Sequence, residues 1–273
     1  MIIQRKSERG IKMKKFVRII SLVTVLALAC MIFASCGKKS DLASVEEEGK
    51  LIMLTNAAFP PFEYLGENGE TIGVDVEIAQ KIAERLGVEL EVVDMDFNGI
   101  VAALASGKGH IAAAGMTVSE ERLKSVDFSV NYVTSAQYMI VPADNTTILT
   151  SADLKDKVVG VQEGTTGDLY ASGEWDGDFG VKQVLRFSNA VEASTALMNG
   201  KCDLVIVDEL PAKLIVAQNE SVLKLVDTPL TLEDYAIAMR KGSDLSKIIN
   251  EELQKMIDDG TVEDLILKHT AVQ

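Results

Sequence analysis

Cysteine is almost absent from this chain. There are three in 273 residues, and two of them, Cys30 and Cys36, lie in or beside an N-terminal apolar run. Cys202 is then the one thiol of the remainder, so no disulfide framework is available within a monomer. Placed just before a strand, it reads as a small buried hydrophobe. Histidine is scarcer still: His110 and His269 are the whole supply. With no cysteine partners for them, a zinc centre is not expected. Aromatic residues make up 5 % of the chain, with a single tryptophan, which leaves no stacking platform for nucleic acid or oligosaccharide. Positive charge is outweighed, 27 Lys and Arg against 41 Asp and Glu. A field of that sign repels nucleic acid and anionic lipid without selecting a ligand.

What is present begins with an export signal. Lys14 and Lys15 precede an apolar run from Phe16 to Phe33, interrupted only by Arg18, Ser21 and Thr24, and Ala34-Ser35 lead into Cys36. A charged region, an apolar stretch and small residues before a break describe a secretory signal over residues 1–35. Met13 reads as the natural start. Cys36 ends the apolar run and meets the polar Gly37-Lys38-Lys39-Ser40; Cys30, after Ala27-Leu28-Ala29, is a rival, and a retained membrane anchor is the alternative to cleavage. Residues 1–35 hold seven Lys/Arg and one Glu, so removing them takes the net charge from −14 to −20. Residues 36–49, poor in apolar side chains, read as a tether.

Beyond the tether, strand and helix patterns alternate. Leu51–Leu54, Val88–Val93 and Ile111–Ala114 read as strands, with helices over Val76–Leu86 and Gly99–Ala105. Gln137–Val141 is extended and stopped by Pro142. A second series follows: strands at Val158–Val161, Val181–Phe187 and Leu204–Val207, with helices over Thr166–Ala171, Ala190–Met198 and Leu210–Gln218. Val222–Val226 and Tyr235–Met239 read as strands, Leu245–Ile257 and Val262–Lys268 as amphipathic helices. Such alternation predicts α/β architecture, mostly parallel sheets flanked by helices, and the two series predict two lobes.

Ligand-type residues collect at strand ends, where open α/β sheets bind ligands. In Ala114-Gly115-Met116-Thr117-Val118-Ser119-Glu120-Glu121-Arg122, Gly115 permits close backbone approach. Thr117 and Glu120 have capping-box spacing, as do Ser119 and Arg122 less ideally. A helix start with an arginine fork suits a small carboxylate; the alternative is a surface arginine paired with Glu120 or Glu121. Asn56 and Phe59 lie on a proline-stiffened loop after the first strand, Phe97 follows the strand before Gly99, and Gln162 with Thr165 and Thr166 opens a helix. Asp208 ends an apolar strand, where capping the next helix is its alternative role. One cation, one anion, two helix N-termini and two aromatic faces suit a zwitterion with a side chain, a free amino acid.

These segments, together with Gly73-Val74-Asp75-Val76-Glu77-Ile78 continued by Ile82-Ala83 and Leu86, resemble the extracellular solute-binding proteins of polar amino acid ABC importers, family 3. The resemblance spans residues 50–268. Val74 stands where the family often has Phe or Tyr, and His110 where it commonly has Asp; His110 is expected as a partly exposed strand-start residue. The resemblance implies a type II, two-lobed periplasmic-binding-protein-like clamp, residues 50–137 plus 236–273 against 138–235. Two crossover strands, near Gln137–Val141 and Thr231–Tyr235, would form the hinge. Arg122, Thr117 and the N–H groups of Thr165 and Thr166 would hold the ligand carboxylate. Asp208 and the Gly115 carbonyl would take its ammonium, Phe59 and Phe97 would sandwich its side chain, and Asn56 and Gln162 would read side-chain polarity. Cys36 resembles the acylated cysteine of a lipobox, which would anchor the protein outside the cell membrane.

The expectation is therefore a monomeric, lipid-anchored binding protein that captures a polar uncharged or basic amino acid and delivers it to an ABC permease. It has no catalytic residues, cofactor or metal and no nucleic-acid partner. Neutral Asn56 and Gln162 favour an uncharged side chain; Glu63 keeps a basic one open. The alternatives are a ligand-sensing extracellular domain and a dehydratase-like enzyme on the same fold with Glu63 or Glu163 as acid. The enzyme reading lacks a His, Ser or Cys beside an activating partner.

Overall fold

In the computed structural model, which describes residues 40–175 and 177–271, the alternating pattern resolves into two five-stranded sheets. The export signal, Met13, Cys30, Cys36 and the first tether residues lie outside the described residues. The chain runs through α1 (Asp41–Glu48), β1 (Lys50–Thr55), β2 (Ala58–Phe59), β3 (Glu63–Leu65), β4 (Thr71–Ile72), α2 (Val74–Leu86) and β5 (Glu89–Asp94). Next come α3 (Phe97–Ala105), β6 (Ile111–Ala112), α4 (Glu120–Leu123), β7 (Val126–Phe128), β8 (Val133–Ser135) and β9 (Gln137–Pro142). A 3-10 turn over Ser151–Leu154 leads to β10 (Val158–Gln162), α5 (Thr166–Ala171), β11 (Gln183–Phe187), α6 (Ala190–Met198), β12 (Leu204–Asp208) and α7 (Glu209–Ala217). The chain closes with β13 (Leu223–Leu225), β14 (Glu233–Tyr235), β15 (Ala238–Arg240), α8 (Ser246–Asp258) and α9 (Thr261–Ala271).

The first sheet has the order β5-β1-β6-β15-β7 and the second β11-β10-β12-β9-β13. In the first, β1 is parallel to β5 and β6, and β15 is antiparallel to β6 and β7. In the second, β10 is parallel to β11 and β12, and β9 is antiparallel to β12 and β13. Each sheet thus has one reversed strand, and each reversed strand is the one the chain enters after crossing from the other sheet. The crossings themselves pair: β8 runs antiparallel to β14, with Ser135 opposite Glu233 and Val133 opposite Tyr235.

Helices cover the parallel strands through apolar stripes. In α2, Val74, Ile78, Ala79, Ile82 and Ala83 are buried, a helical spacing that gives one face to the core. Each large side chain so buried contributes about 1.5–3 kcal/mol of transfer free energy. Gly87 ends the helix in the left-handed region at φ 71, its N–H bonded to the Ala83 and Glu84 carbonyls. β12 is buried along its whole length, as its unbroken apolar run requires of a strand covered on both faces.

Four local expectations are corrected. Most of the tether is helix: Asp41–Glu48 forms α1, fixed by buried Val45, an Asp41–Arg240 ion pair and the Leu42 N–H donating to Asp244 Oδ1 at 2.9 Å. Gln137–Val141 belongs to the second sheet as β9, and the first crossing lies earlier, at β8. The Tyr235–Met239 run is split, Tyr235 ending β14 and Ala238 starting β15 in the first sheet. His110 is buried, its Nδ1 accepting from the Ile52 N–H at 3.0 Å, and burial lowers its pKa.

Candidate functional site

The ends of β1, β6, β10 and β12 bring their following loops around one cavity. Asn56, Phe59, Phe97, Gly115, Thr117, Arg122, Gln162, Thr165, Thr166 and Asp208 all line it, joined by Glu63 and Ala114. The cavity sits at the carboxyl ends of parallel strands, as the topology demands. Its walls come from both sheets.

On the first-sheet side, Phe59 packs edge-on into the space that Gly115 leaves. Gly115 has φ 51, and a Cβ there would lie 2.6 Å from Phe59 Cε1. Only glycine combines that backbone with that approach. The short helix α4 presents Arg122. Its N-cap is Ser119, whose hydroxyl accepts from the Arg122 N–H at 3.2 Å. Thr117 does not cap it: the Thr117 hydroxyl instead donates to Glu233 Oε2 at 2.6 Å.

Arg122 is half-buried, and its guanidinium donates to the Thr117 carbonyl at 2.7 Å and the Gly164 carbonyl at 3.1 Å. It also lies 5.3 Å from the centre of the Phe97 ring, within cation–π range. Glu121 pairs with Lys124, so the surface ion pair considered for Arg122 is not formed with it. Burial lowers the Arg122 pKa, opposed by the charges of Glu233 and Asp208. A desolvated cation hydrogen-bonded only to neutral carbonyls has room in its electrostatics for an anion.

The second-sheet side contributes Gln162, Thr165, Thr166 and Asp208. The Gln162 side-chain amide donates to Asn56 Oδ1 at 2.9 Å, tying the two walls together. Thr165 is the N-cap of α5, accepting from the Asp168 N–H at 3.3 Å while donating to the Gln162 carbonyl at 2.8 Å. Thr166 is buried in the first turn. Asp208 makes no side-chain cap to α7; it accepts from the Tyr235 hydroxyl. Burial first, then the nearby Glu233 charge, pushes Asp208 up to about 7.

Three groups here were not singled out by sequence as parts of the site, Asp75, Glu233 and Tyr235; Glu63, which sequence offered as a partner for a basic ligand or as an acid, is a wall residue. Glu63 is fully buried, and neither of its oxygens receives a hydrogen bond from an N–H or hydroxyl. Behind it, Asp75 accepts from the Gly115 N–H at 2.8 Å and the Tyr132 hydroxyl at 2.6 Å. Burial, then the adjacent Asp75 charge, holds Glu63 well above the usual carboxylate range, while burial raises Asp75 to about 6. Their signal in the sequence is faint: Asp75 in the first turn of α2 reads as an ordinary partner for the helix dipole. Among the described residues, no group of three or more His, Cys, Asp or Glu is arranged to hold a metal ion.

The family described as bacterial extracellular solute-binding proteins, family 3, matches residues 51–271. The chain is 36 % identical to the arginine-binding extracellular protein ArtP of Bacillus subtilis (strain 168), over 88 % of this chain and 94 % of that protein. It is 30 % identical to the L-cystine-binding protein TcyJ of Escherichia coli (strain K12), over 90 % and 92 %. Among solved structures, the P235GK mutant of ArgBP from T. maritima superposes with a TM-score of 0.78 at 38 % identity, covering 85 % of this chain and 99 % of that one. These relatives are binding proteins, and the two-lobed type II fold expected from sequence is theirs.

Proposed function

The chain belongs to the bacterial extracellular solute-binding proteins, family 3, and we propose that it captures a free amino acid between two lobes and hands it to an ABC permease. The observation that carries this reading is that Arg122, presented from the first sheet, and Asp208, at the end of a second-sheet strand, face one cavity. The ligand carboxylate takes the guanidinium fork, aided by Thr117 and the N–H groups at the start of α5. The ligand ammonium takes Asp208 and the Gly115 carbonyl. Phe59 and Phe97 enclose the side chain, and the Asn56–Gln162 amides meet its polar end.

In this reading residues 50–137 plus 236–273 form one lobe, residues 138–235 the other, and β8 with β14 the hinge. Closure is driven only by contacts that exist in the shut form, so dividing the charges between lobes couples capture to closure. Hinge closure of periplasmic binding proteins is a standard example of such motion. Acylation at Cys36 would hold the protein, as a monomer, at the outer face of the membrane. The ligand class is an uncharged polar or a basic amino acid: the amides serve the first and Glu63 the second.

The test is native mass spectrometry of the purified protein for a co-purified ligand, followed by a thermal-shift screen over the twenty amino acids and cystine. One ligand at 100 times its dissociation constant should stabilise the fold by ~2.7 kcal/mol. No shift with any of them, in protein stripped of bound ligand, sinks the reading.

A further inference from the structure

Glu63 lines the cavity, and nothing in the protein donates a hydrogen bond to it. The side chain is fully buried, and both oxygens lack N–H and hydroxyl donors. Its neighbour Asp75 is already satisfied by the Gly115 N–H and the Tyr132 hydroxyl. Two carboxyls side by side in a dry site do not both ionise, so one proton stays with the pair, and Glu63, lacking donors, keeps it. The other charged groups facing Glu63 do not change this. Asp208 and Asp94 are acids that add to the penalty, and the cation sharing the cavity, Arg122, is bonded to the Thr117 and Gly164 carbonyls.

We propose, resting on the amino-acid capture reading, that Glu63 selects a ligand with a cationic side chain and that this cation replaces the proton Glu63 shares with Asp75. The guanidinium or ammonium group donates its N–H bonds to Glu63, and the Glu63 carboxylic acid gives its proton to water. One positive charge enters as another leaves, so the buried pair is neutralised to the same extent before and after. A neutral side chain such as that of glutamine leaves the proton where it is. The exchange is largest in mildly acidic solution and fades as pH rises above the raised pKa of Glu63, where the proton is already gone.

The experiment is calorimetric titration of L-arginine and L-glutamine into the purified protein, stripped by unfolding, dialysis and refolding. Each is run at mildly acidic pH in two buffers of different ionisation enthalpy. Arginine is expected to bind more tightly than glutamine and to release nearly one proton more than glutamine does, because any proton the ligand ammonium displaces from Asp208 is common to both. Glu63→Gln removes the exchange and weakens arginine by roughly 30-fold or more. Should the variant fail to fold, the two-buffer comparison on the unaltered protein decides. Equal proton release by arginine and glutamine, or an arginine preference that survives in Glu63→Gln, overturns the exchange while amino-acid capture stands. Binding of neither amino acid overturns both.

Discussion

Replacing Arg122 with alanine tests the capture site most directly. Its guanidinium makes two hydrogen bonds to main-chain carbonyls and lies over the Phe97 ring. Losing charge-assisted bonds costs about 1.5–3 kcal/mol each, but removing a desolvated cation offsets much of that, so the fold should tolerate the change. Ligand affinity should not. The carboxylate of a bound amino acid would be left buried without its opposite charge, a loss of about 2–5 kcal/mol, or roughly 30- to 5,000-fold in dissociation constant. Calorimetry on refolded protein measures this, with circular dichroism to confirm that the variant is folded. The thermal shift should vanish in parallel: ~2.7 kcal/mol of ligand stabilisation is worth roughly 5–10 °C at this chain length. Arg122→Lys should restore only part of the affinity, because an ammonium cannot form the planar fork. A folded Arg122→Ala protein that binds within threefold of the original would refute the reasoning.

Other predictions follow from the same geometry. Asp208→Asn should cost about 2–5 kcal/mol of amino-acid affinity, read by calorimetry; unchanged binding would remove Asp208 from the site. Asp208 titrates near 7 and Asp75 near 6 in the fold, both above their ordinary 3.8. The folded state therefore holds more protons than the unfolded chain between about pH 4 and 7, and stability falls as pH rises through that window. The ligand-free protein should melt at a higher temperature near pH 5.5 than near pH 8, and the reverse order would contradict the burial of these acids. Gly115→Ala forces a left-handed alanine and pushes Phe59 from a Cβ position 2.6 Å from its ring, so urea denaturation should show a loss of at least about 1–2 kcal/mol. Cys36→Ala should move the protein from the membrane fraction to the soluble fraction of the cells that make it; unchanged fractionation would exclude the lipid anchor.

Much of the scaffold was legible because long apolar runs end in strong punctuation. Val158–Val161 precedes the Gly164 turn, and Val76–Leu86 stops at Gly87, and both elements lie within two residues of their expected ends. What escaped was too short or too tertiary. β2, β3 and β4 span two or three residues each, below the length at which a period of two can be seen. Tyr235–Met239 is uninterrupted in hydropathy, yet the chain changes sheets inside it, which no local pattern encodes. α1 depends on one buried valine and an ion pair to distant Arg240, so its charged composition reads as tether.

The cavity wall was legible at strand ends because glycine, hydroxyl, aromatic and charged residues there break the apolar pattern. Asp75 and Glu233 were not, since an acid is assigned to the surface unless the whole fold encloses it. Phe62, Tyr132 and Tyr235 supply that enclosure from distant parts of the chain.

Glu233 stands on β14, one of the two crossing strands. One of its oxygens holds the Thr117 hydroxyl and the other the Thr231 hydroxyl, each at 2.6 Å. Its charge is also felt by both Arg122 and Asp208. A crossing strand therefore carries a carboxylate coupled to both charged residues of the cavity. In the proposed clamp, a ligand that neutralises both residues changes the electrostatic load on this strand directly. Position 233, which does not itself line the cavity, is where one substitution in that clamp would alter closure and ligand affinity together.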